Sequence, residues 1–332
     1  MKKKIYSNSK WDDIVLPFSL EKSDIRGRIT RLDKSLNDVL GQHAYPNSVN
    51  TILAEALLLT SMIGQTIKLR WKLSLQIRSD GPISLIATDY FGPDKESGKA
   101  RLRGYANYDR ERIKNYDAVN FTKFGKGYFA ILIDQGPNTK PYQGITPLSG
   151  ASLAECARTY FMQSEQLPTT FKIIVSQTKL LGQAIRWRAA GIMLQHLPKN
   201  SSAKLENNNS FDSVLFGVNN PDDFQSEINE DHWSRVGILT DTVEEIELIG
   251  PHIEPLEVLK RLFHEEGIVV YSKKNIEFGC TCSRKKVVNA MSIYSAKEIN
   301  TMMNEDGMVT ADCQFCGSNY CFDPSELGFE TK

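Results

Sequence analysis

Four of the six cysteines fall into two close pairs near the C-terminus of this 332-residue chain. The first pair is Cys280-Thr281-Cys282, and thirty residues later the second is Cys313-Gln314-Phe315-Cys316. Two cysteines one or two residues apart can bind a metal ion from one side, and two such pairs complete the tetrahedral thiolate shell that structural Zn2+ prefers. The spacing therefore predicts that Cys280, Cys282, Cys313 and Cys316 bind one zinc ion.

Other interpretations of these cysteines are open. Unpaired cysteines are often core residues, but two such close pairs are not expected by chance. The C-x-x-C motif of a dithiol oxidoreductase is expected to begin a helix after a strand, whereas Cys316 is followed by Gly317 and a strand-like alternation. His264 is a further candidate ligand, although four thiolates already fill the shell. A four-thiolate zinc site is therefore favoured.

The predicted site can also respond to oxidation. Zinc-bound thiolates remain nucleophiles toward peroxide or hypochlorous acid, and each cysteine has a neighbour with which its sulfenic acid can condense. Closing Cys280–Cys282 or Cys313–Cys316 would expel the ion. The surrounding module has about seventy residues, a size at which a domain usually needs a staple such as a metal. Oxidation is therefore expected to unfold it.

Several residues near the predicted site have secondary interpretations. Arg284, Lys285 and Lys286 follow the first pair and are placed to offset the excess negative charge of four thiolates. They are also compatible with a nucleic-acid patch, although no aromatic residues alternate with them. Cys321 is expected to be a bystander, and Cys156 a core thiol in a helix.

The composition is that of a globular protein, with 41% hydrophobic and 24% charged residues. A net charge of zero gives no overall basic footprint for nucleic acid. Residues 221–266 nevertheless contain 13 acidic and three basic side chains, a net charge of 3 − 13, or −10. The N-terminus lacks a signal-peptide core, and no apolar run is long enough for a membrane span. Reduced paired thiols then indicate a cytoplasmic location.

Residues 1–198 predict one α+β domain, a mostly antiparallel sheet with flanking helices. Alternation from Ile67 to Arg78 predicts a strand with one wet face, and Pro17 predicts that residues 14–20 form an edge strand. Further strands are predicted at 83–90, 102–105, 128–134, 142–147, 170–175 and 184–188, and helices at 32–40, 49–63 and 152–164. The region contains no catalytic constellation or phosphate-binding loop, so an enzyme is not expected.

Residues 199–261 predict a flexible insertion followed by an acidic helical linker. The stretch 199–210 is polar and of low complexity, and short amphipathic helices follow, among them 255–263. Their apolar stripe needs a partner, which is either a permanent docking site on the N-terminal sheet or a surface that they cover conditionally. Residues 262–332 form the predicted zinc-binding domain.

Six motifs distributed along the chain match those of a known family. They are Arg261-Leu262-Phe263-His264-Glu265-Glu266, Phe278-Gly279-Cys280-Thr281-Cys282-Ser283-Arg284, Cys313-Gln314-Phe315-Cys316-Gly317 with Tyr320, Tyr142-Gln143-Gly144-Ile145, Ser164-Glu165-Gln166-Leu167-Pro168-Thr169 and Gln195-His196-Leu197-Pro198. With these motifs the chain resembles, over nearly its full length, the heat shock protein 33 family of redox-regulated bacterial chaperones. Departures are Lys285-Lys286, where the family often has Glu-Arg, the polar insertion near Asn207, and Cys321.

The resemblance implies a reduced, zinc-bound, inactive monomer in which Cys280, Cys282, Cys313 and Cys316 are ligands and redox sensors. Oxidation under mild unfolding stress would join neighbouring cysteines, release zinc and unfold the linker and zinc domain. The product would be an active homodimer that holds unfolded client proteins without ATP. A second function class, a zinc-ribbon RNA-binding regulatory protein, is kept as the alternative.

Overall fold

The computed structural model describes residues 10–115, 121–136, 139–178, 185–196 and 230–327. The chain divides into two compact units, Met1–Phe278 and Gly279–Lys332. In the described residues of the first unit, helices flank a large and mostly antiparallel sheet, which confirms the predicted α+β class. None of the described helices is long and apolar enough to cross a membrane.

The first unit contains eleven described strands. They are β1 (Ile14–Leu20), β2 (Ile25–Leu32), β3 (Lys72–Ser79), β4 (Ile83–Phe91), β5 (Ala100–Tyr108), β6 (Gly127–Asp134), β7 (Tyr142–Pro147), β8 (Thr169–Thr178), β9 (Arg186–His196), β10 (Ile268–Val270) and β11 (Lys274–Phe278). Their order is β7-β6-β3-β4-β5-β11-β1-β2-β9-β8, and β10 also pairs with β1. The pairing of β11 with β5 is parallel, and every other pairing is antiparallel.

Six described helices belong to the first unit. They are α1 (Lys34–Leu40), α2 (Asn47–Gly64), α3 (Leu153–Ser164), α4 (Glu230–Asp241), α5 (Glu245–Ile249) and α6 (Pro255–Phe263). Fourteen of the eighteen residues of α2 are buried, as expected for a helix that is apolar on more than one face. It packs against strands from both halves of the sheet, including β4 and β9, and so forms the centre of the main core.

The prediction that residues 14–20 form an edge strand is wrong. Strand β1 pairs along its whole length with β2, and its other side pairs with β10 at Phe18–Leu20 and with β11 at Ile14 and Val15. Pro17 lies opposite the interruption between β10 and β11, where the ladder is broken. A proline without an N–H is therefore tolerated inside the sheet.

Several other predicted strands have different bounds, and β3 and β9 differ most. Strand β3 begins at Lys72 because the chain turns after α2, where the amide of Leu69 donates to the carbonyl of Ile67 at 2.9 Å. Strand β9 runs over eleven residues, and it pairs with β2 on one side and with β8 on the other. The predicted short strand at 184–188 captured only its beginning.

Strands β2, β10 and β11 were not predicted, and the last two return the chain to the sheet after the linker helices. Strand β11 lies between β5 and β1, so it joins a half containing β3–β7 to a half containing β1, β2, β8 and β9. Residues 262–278, predicted as part of the zinc-binding domain, therefore belong to the first compact unit. The three-part division of function at 198 and 261 stays a prediction, and the insertion at 199–210 lies outside the described residues.

Candidate metal centre

The second unit has a very small apolar core. Its described elements are α7 (Arg284–Met291), α8 (Ala296–Thr301), the antiparallel hairpin of β12 (Val309–Asp312) and β13 (Asn319–Phe322), and a 3-10 turn at Pro324–Glu326. Ile299, Val309, Phe322 and Leu327 are the buried apolar residues of its core cluster in the described part of the chain. A core of this size contributes little stability without a further constraint.

The first cysteine pair lies in the loop that leads into α7. Ser283 caps this helix, since its hydroxyl accepts the backbone N–H of Lys286 at 3.4 Å. The ammonium of Lys286 in turn donates to the carbonyl of Thr281, between the two cysteines, at 2.5 Å. The helix start therefore fixes the backbone of the loop and places a positive charge beside it.

The second cysteine pair forms the turn of the β12–β13 hairpin. The N–H of Cys313 donates to the carbonyl of Ser318 at 2.9 Å, and the N–H of Gly317 donates to the carbonyl of Cys313 at 2.8 Å. Gly317 has a φ of 63°, which confirms the expected tight turn that favours glycine. The turn places the side chains of Cys313 and Cys316 on the same side of the loop.

The structure brings the four predicted sulfurs together. The Sγ atoms of Cys280, Cys282, Cys313 and Cys316 all lie within 4.8 Å of one another. The Sγ atoms of Cys280 and Cys313 are 3.6 Å apart, and those of Cys282 and Cys316 are 3.4 Å apart. Four thiolates at a Zn–S distance of about 2.3 Å would have their sulfurs about 3.8 Å apart. The arrangement therefore fits one tetrahedrally bound metal ion.

The pKa values of the clustered thiols are shifted in different directions. Burial raises the pKa of Cys313 to about 12 and also raises the pKa of Cys282. Burial likewise raises the pKa of Cys316, but hydrogen bonds with Ser318, Cys282 and Cys280 together lower it more, to about 7 overall. A bound divalent cation would deprotonate all of these thiols.

Arg284 contacts residues near the end of the described chain. Its guanidinium donates to both carboxylate oxygens of Glu326, at 2.9 and 2.7 Å, and to the carbonyl of Cys321 at 2.7 Å. It also lies over the ring of Phe322, 4.3 Å from the centroid. Arg284 therefore holds the end of the described chain against the start of α7, whereas Lys286 supplies the positive charge beside the first pair.

The remaining sequence candidates lie outside the cluster. Cys321 is exposed on β13, and Cys156 is fully buried in α3 with its Sγ 3.1 Å from the carbonyl of Ser149, which confirms the predicted core thiol. His264 has a side chain that is 70% exposed, and it is not among the clustered residues. The hydroxyls of Ser318 and Tyr320, which contact sulfurs of the cluster, were missed.

Helices α4, α5 and α6, residues 230–263, cover an apolar face of the sheet in the first unit. We call them the linker cover. Alternation along β1 separates two cores, since Val15 faces α2 whereas Ile14 and Leu16 face the linker cover. The fully buried contacts of the cover include Phe263, whose ring stacks on Phe18 with centroids 5.8 Å apart. The linker helices therefore dock on the N-terminal sheet, and whether this docking is permanent or conditional is not decided by the packing.

Two buried arginines of the sheet hold the end of α5. Arg31 donates to the carbonyls of Glu247 and Leu248, both at 2.7 Å, and Arg188 donates to the carbonyl of Ile249 at 3.2 Å. These carbonyls belong to the last turn of the helix, where they have no partner within the helix and where positive charge is favourable. Burial lowers the pKa of Arg31 to about 10, so its guanidinium stays charged at neutral pH.

A second polar contact holds α4. The carboxylate of Glu266 is buried and accepts two hydrogen bonds from the guanidinium of Arg235, at 2.9 and 3.0 Å, as well as one from Ser23. The hydrogen bond from Arg235 is the main cause of a pKa of Glu266 below its ordinary value. The linker cover is thus fixed by apolar packing and by directional contacts.

The fold and the sulfur cluster together define a class of protein: a sheet domain with a docked helical cover, followed along the chain by a small module with four clustered cysteines that could hold a metal ion. Known proteins of this class match the chain. A family model described as Hsp33 protein matches residues 13–323. A 33 kDa chaperonin of Caulobacter vibrioides is 34% identical over 318 residues, which cover 94% of this chain and 95% of the relative.

Two further comparisons, with a second relative and with a solved structure, agree with this family match. A 33 kDa chaperonin of Escherichia coli is 31% identical over 310 residues, covering 93% of this chain and 92% of the relative. The crystal structure of a 33 kDa chaperonin from Thermotoga maritima has a similar fold, with a TM-score of 0.71 at 21% identity over 95% of this chain and 96% of that one. The chain belongs to the Hsp33 family, as its motifs predicted.

Proposed function

We propose that this protein is a redox-regulated chaperone that binds unfolded client proteins without ATP. Family membership supports this function, because the curated relatives are named 33 kDa chaperonins. The observation that carries the regulatory part is the cluster of four sulfurs within 4.8 Å, in a unit whose described core cluster has four buried apolar residues. Such a unit depends on its ligands for stability, so chemistry at sulfur controls whether it is folded.

The reduced form is the inactive one in this proposal. Cys280, Cys282, Cys313 and Cys316 would hold Zn2+, whose binding to four thiolates contributes on the order of 10–16 kcal/mol in small peptides. The thiolates connect the loop before α7 to the β12–β13 turn, and the small core packs around that connection. In this state the linker cover stays docked on the sheet of the first unit.

Oxidation switches the site because a disulfide sulfur is no longer a thiolate ligand. A thiolate attacks peroxide, the S–O bond forms as the O–O bond breaks, and hydroxide leaves, so that sulfur is oxidised and peroxide reduced. The neighbouring thiolate then attacks this sulfenic sulfur and displaces a second hydroxide, which takes up a proton to give water. Closing Cys280–Cys282 and Cys313–Cys316 in this way removes all four ligands.

Unfolding of the metal module and the linker cover then exposes a client surface. Removing the cover would uncover apolar side chains of three adjacent strands of the first unit. These side chains are Ile14, Leu16, Phe18, Ile25, Ile29, Ala190, Ile192 and Leu194. An exposed apolar patch of this kind is suited to bind unfolded chains or a second copy of the protein, and the oxidised form is proposed to be a homodimer.

The remaining parts of the proposal follow from the same chemistry. The function is binding and not catalysis, and the partners are unfolded proteins without nucleic acid. The location is the cytoplasm, where reducing conditions keep the four cysteines as thiols until oxidative stress occurs.

The test uses the full-length, reduced, zinc-loaded protein with hydrogen peroxide at mildly elevated temperature. We expect release of zinc, loss of four thiols and suppression of aggregation of a chemically denatured client, all reversed by a thiol reductant. Disulfide mapping distinguishes Cys280–Cys282 from the cross-pair product Cys282–Cys316, whose sulfurs are 3.4 Å apart. Activity confined to the reduced protein, as RNA retention with a steep salt dependence, would instead favour the RNA-binding alternative.

A further inference from the structure

One short segment, residues 318–320, places a side-chain hydroxyl on one sulfur of each cysteine pair. The Tyr320 hydroxyl donates to Sγ of Cys282 at 3.1 Å, and the Ser318 hydroxyl lies 3.2 Å from Sγ of Cys316. Because a thiolate has no proton to give, both hydroxyls donate once the cysteines are ligands. The two sulfurs that they contact are themselves 3.4 Å apart. The hydroxyls therefore act on one edge of the sulfur cluster.

The hairpin fixes both hydroxyls in place. Tyr320 pairs with Ala311 across β12 and β13, and its ring packs on the small core and stacks on Phe322 with centroids 6.5 Å apart. The carbonyl of Ser318 accepts the N–H of Cys313. The hydroxyls are thus held by backbone and ring contacts that are independent of their hydrogen bonds to sulfur.

We propose that Tyr320 and Ser318 are positioning residues that set the rate at which peroxide oxidises Cys282 and Cys316. A hydrogen bond withdraws electron density from a thiolate and stabilises its charge, and this stabilisation is lost when the sulfur becomes neutral by forming an S–O bond. Each hydroxyl therefore slows attack on peroxide at the sulfur it contacts. In the full reaction peroxide gains two electrons, sulfur loses two, and hydroxide leaves before the disulfide forms.

The same hydroxyls are expected to strengthen metal binding. Residues that hydrogen-bond to a metal ligand orient it, and their loss typically weakens metal affinity about 10–100-fold. The two effects act in the same direction, since slower oxidation and tighter binding both raise the dose of oxidant needed for release. The two hydroxyls belong to side chains, so substitution can remove each one without altering the backbone.

The experiment compares single-hydroxyl deletions in the full-length, zinc-loaded protein. Tyr320→Phe keeps the ring that packs on the core, and Ser318→Ala removes one oxygen. The matched controls are Tyr294→Phe and Ser292→Ala, since Tyr294 is 37% exposed and the Ser292 hydroxyl donates to the carbonyl of Asn289 in the same unit. Ser318→Thr keeps a hydroxyl and serves as the rescue variant.

Two readouts follow each reaction with peroxide. A colorimetric chelator measures zinc release, and alkylation at timed intervals followed by mass spectrometry measures oxidation at each cysteine. We expect Tyr320→Phe to oxidise about three- to tenfold faster at Cys282, and Ser318→Ala to oxidise faster by a similar factor at Cys316. This is less than the full effect of one hydrogen bond to a charged group, because the sulfur loses only part of its charge in the transition state. Both controls and Ser318→Thr should react like the wild type.

Equal acceleration at all four cysteines would show general loosening of the unit and overturn the inference, as would unchanged rates. The inference rests on the proposed zinc binding and redox switching, but the experiment distinguishes a failure of the inference from a failure of the proposed function. If the wild type keeps its zinc and its thiols in peroxide, the proposed function fails. If the wild type reacts and the hydroxyl deletions match it, only the role of Tyr320 and Ser318 fails.

Discussion

Replacing Phe263 with alanine tests the role of the linker cover without changing any of the four clustered cysteines. The Phe263 side chain is fully buried, stacks on Phe18 and belongs to the last turn of α6. Phenylalanine-to-alanine substitutions in packed cores cost about 3–5 kcal/mol. A loss of about 4 kcal/mol changes an equilibrium by roughly a thousandfold. If the cost falls mainly on the docked state of the cover, the undocked population rises by a factor of that size.

The assay measures aggregation of a chemically denatured client in the presence of reduced, zinc-loaded protein. We expect Phe263→Ala to suppress aggregation without oxidant, to become sensitive to protease within residues 230–263, and to retain its zinc. Ile246→Ala is the matched control, because Ile246 lies in the same cover but is 63% exposed. This control should remain inactive and resistant to protease.

Two results would refute the reasoning. A Phe263→Ala protein that is cleaved in the cover but does not suppress aggregation would show that clients do not bind beneath it. A protein that stays resistant to protease would show that this contact does not hold the cover. Should the substitution unfold the whole first unit, Leu248→Ala tests the same idea through α5, where Leu248 is also fully buried.

The ion pair between Arg235 and Glu266 and the contacts of Arg284 give two further predictions. Because Arg235 lowers the pKa of Glu266 below its ordinary value of 4.5, the ion pair stabilises the fold above that pH and is lost as the pH falls through the lowered pKa. We therefore expect the melting temperature of the wild type to fall more steeply from about pH 5 to pH 3 than that of Glu266→Gln, and parallel curves would contradict this. Arg284→Met loses the contacts with Glu326 and the carbonyl of Cys321, so zinc transfer to a chelator should become severalfold faster, whereas Lys285→Met should behave like the wild type.

The parts of the metal centre that depend on local sequence could be predicted. Two cysteines one or two residues apart must lie close together in almost any conformation, and Gly317 supplies the turn that the second pair needs. The contacts of Ser318 and Tyr320 could not be predicted, because they depend on where the β12–β13 hairpin crosses the first pair. The strand-like alternation after Gly317 was the only sequence signal for these contacts, and it does not predict which sulfur each hydroxyl contacts.

The same limit applies to the fold. Helix α6 was predicted with its observed bounds because its start, its apolar stripe and its end are all local features. Pro17 led to the wrong prediction of an edge strand. A proline indicates a backbone position without a hydrogen-bonded partner, and here that position faces the gap between β10 and β11 and not an open edge of the sheet. Strand β11 was missed because its five residues include a single buried apolar side chain, Ile276, and its partners β1 and β5 are distant in sequence.

The position of β11 between β5 and β1 also constrains how the nascent chain acquires its structure on the ribosome. The middle strand of the sheet is the last of its strands to be translated, 278 − 108, or 170, residues after the end of β5. At about 5–20 residues per second, this delay is roughly 10–30 s. During that time β1 and β5 lack this neighbour, and unpaired strand edges are sites of aggregation. Cys280 follows only two residues after β11 ends, so a newly made chain can begin to assemble its metal centre only after the strand that completes the sheet has been synthesised.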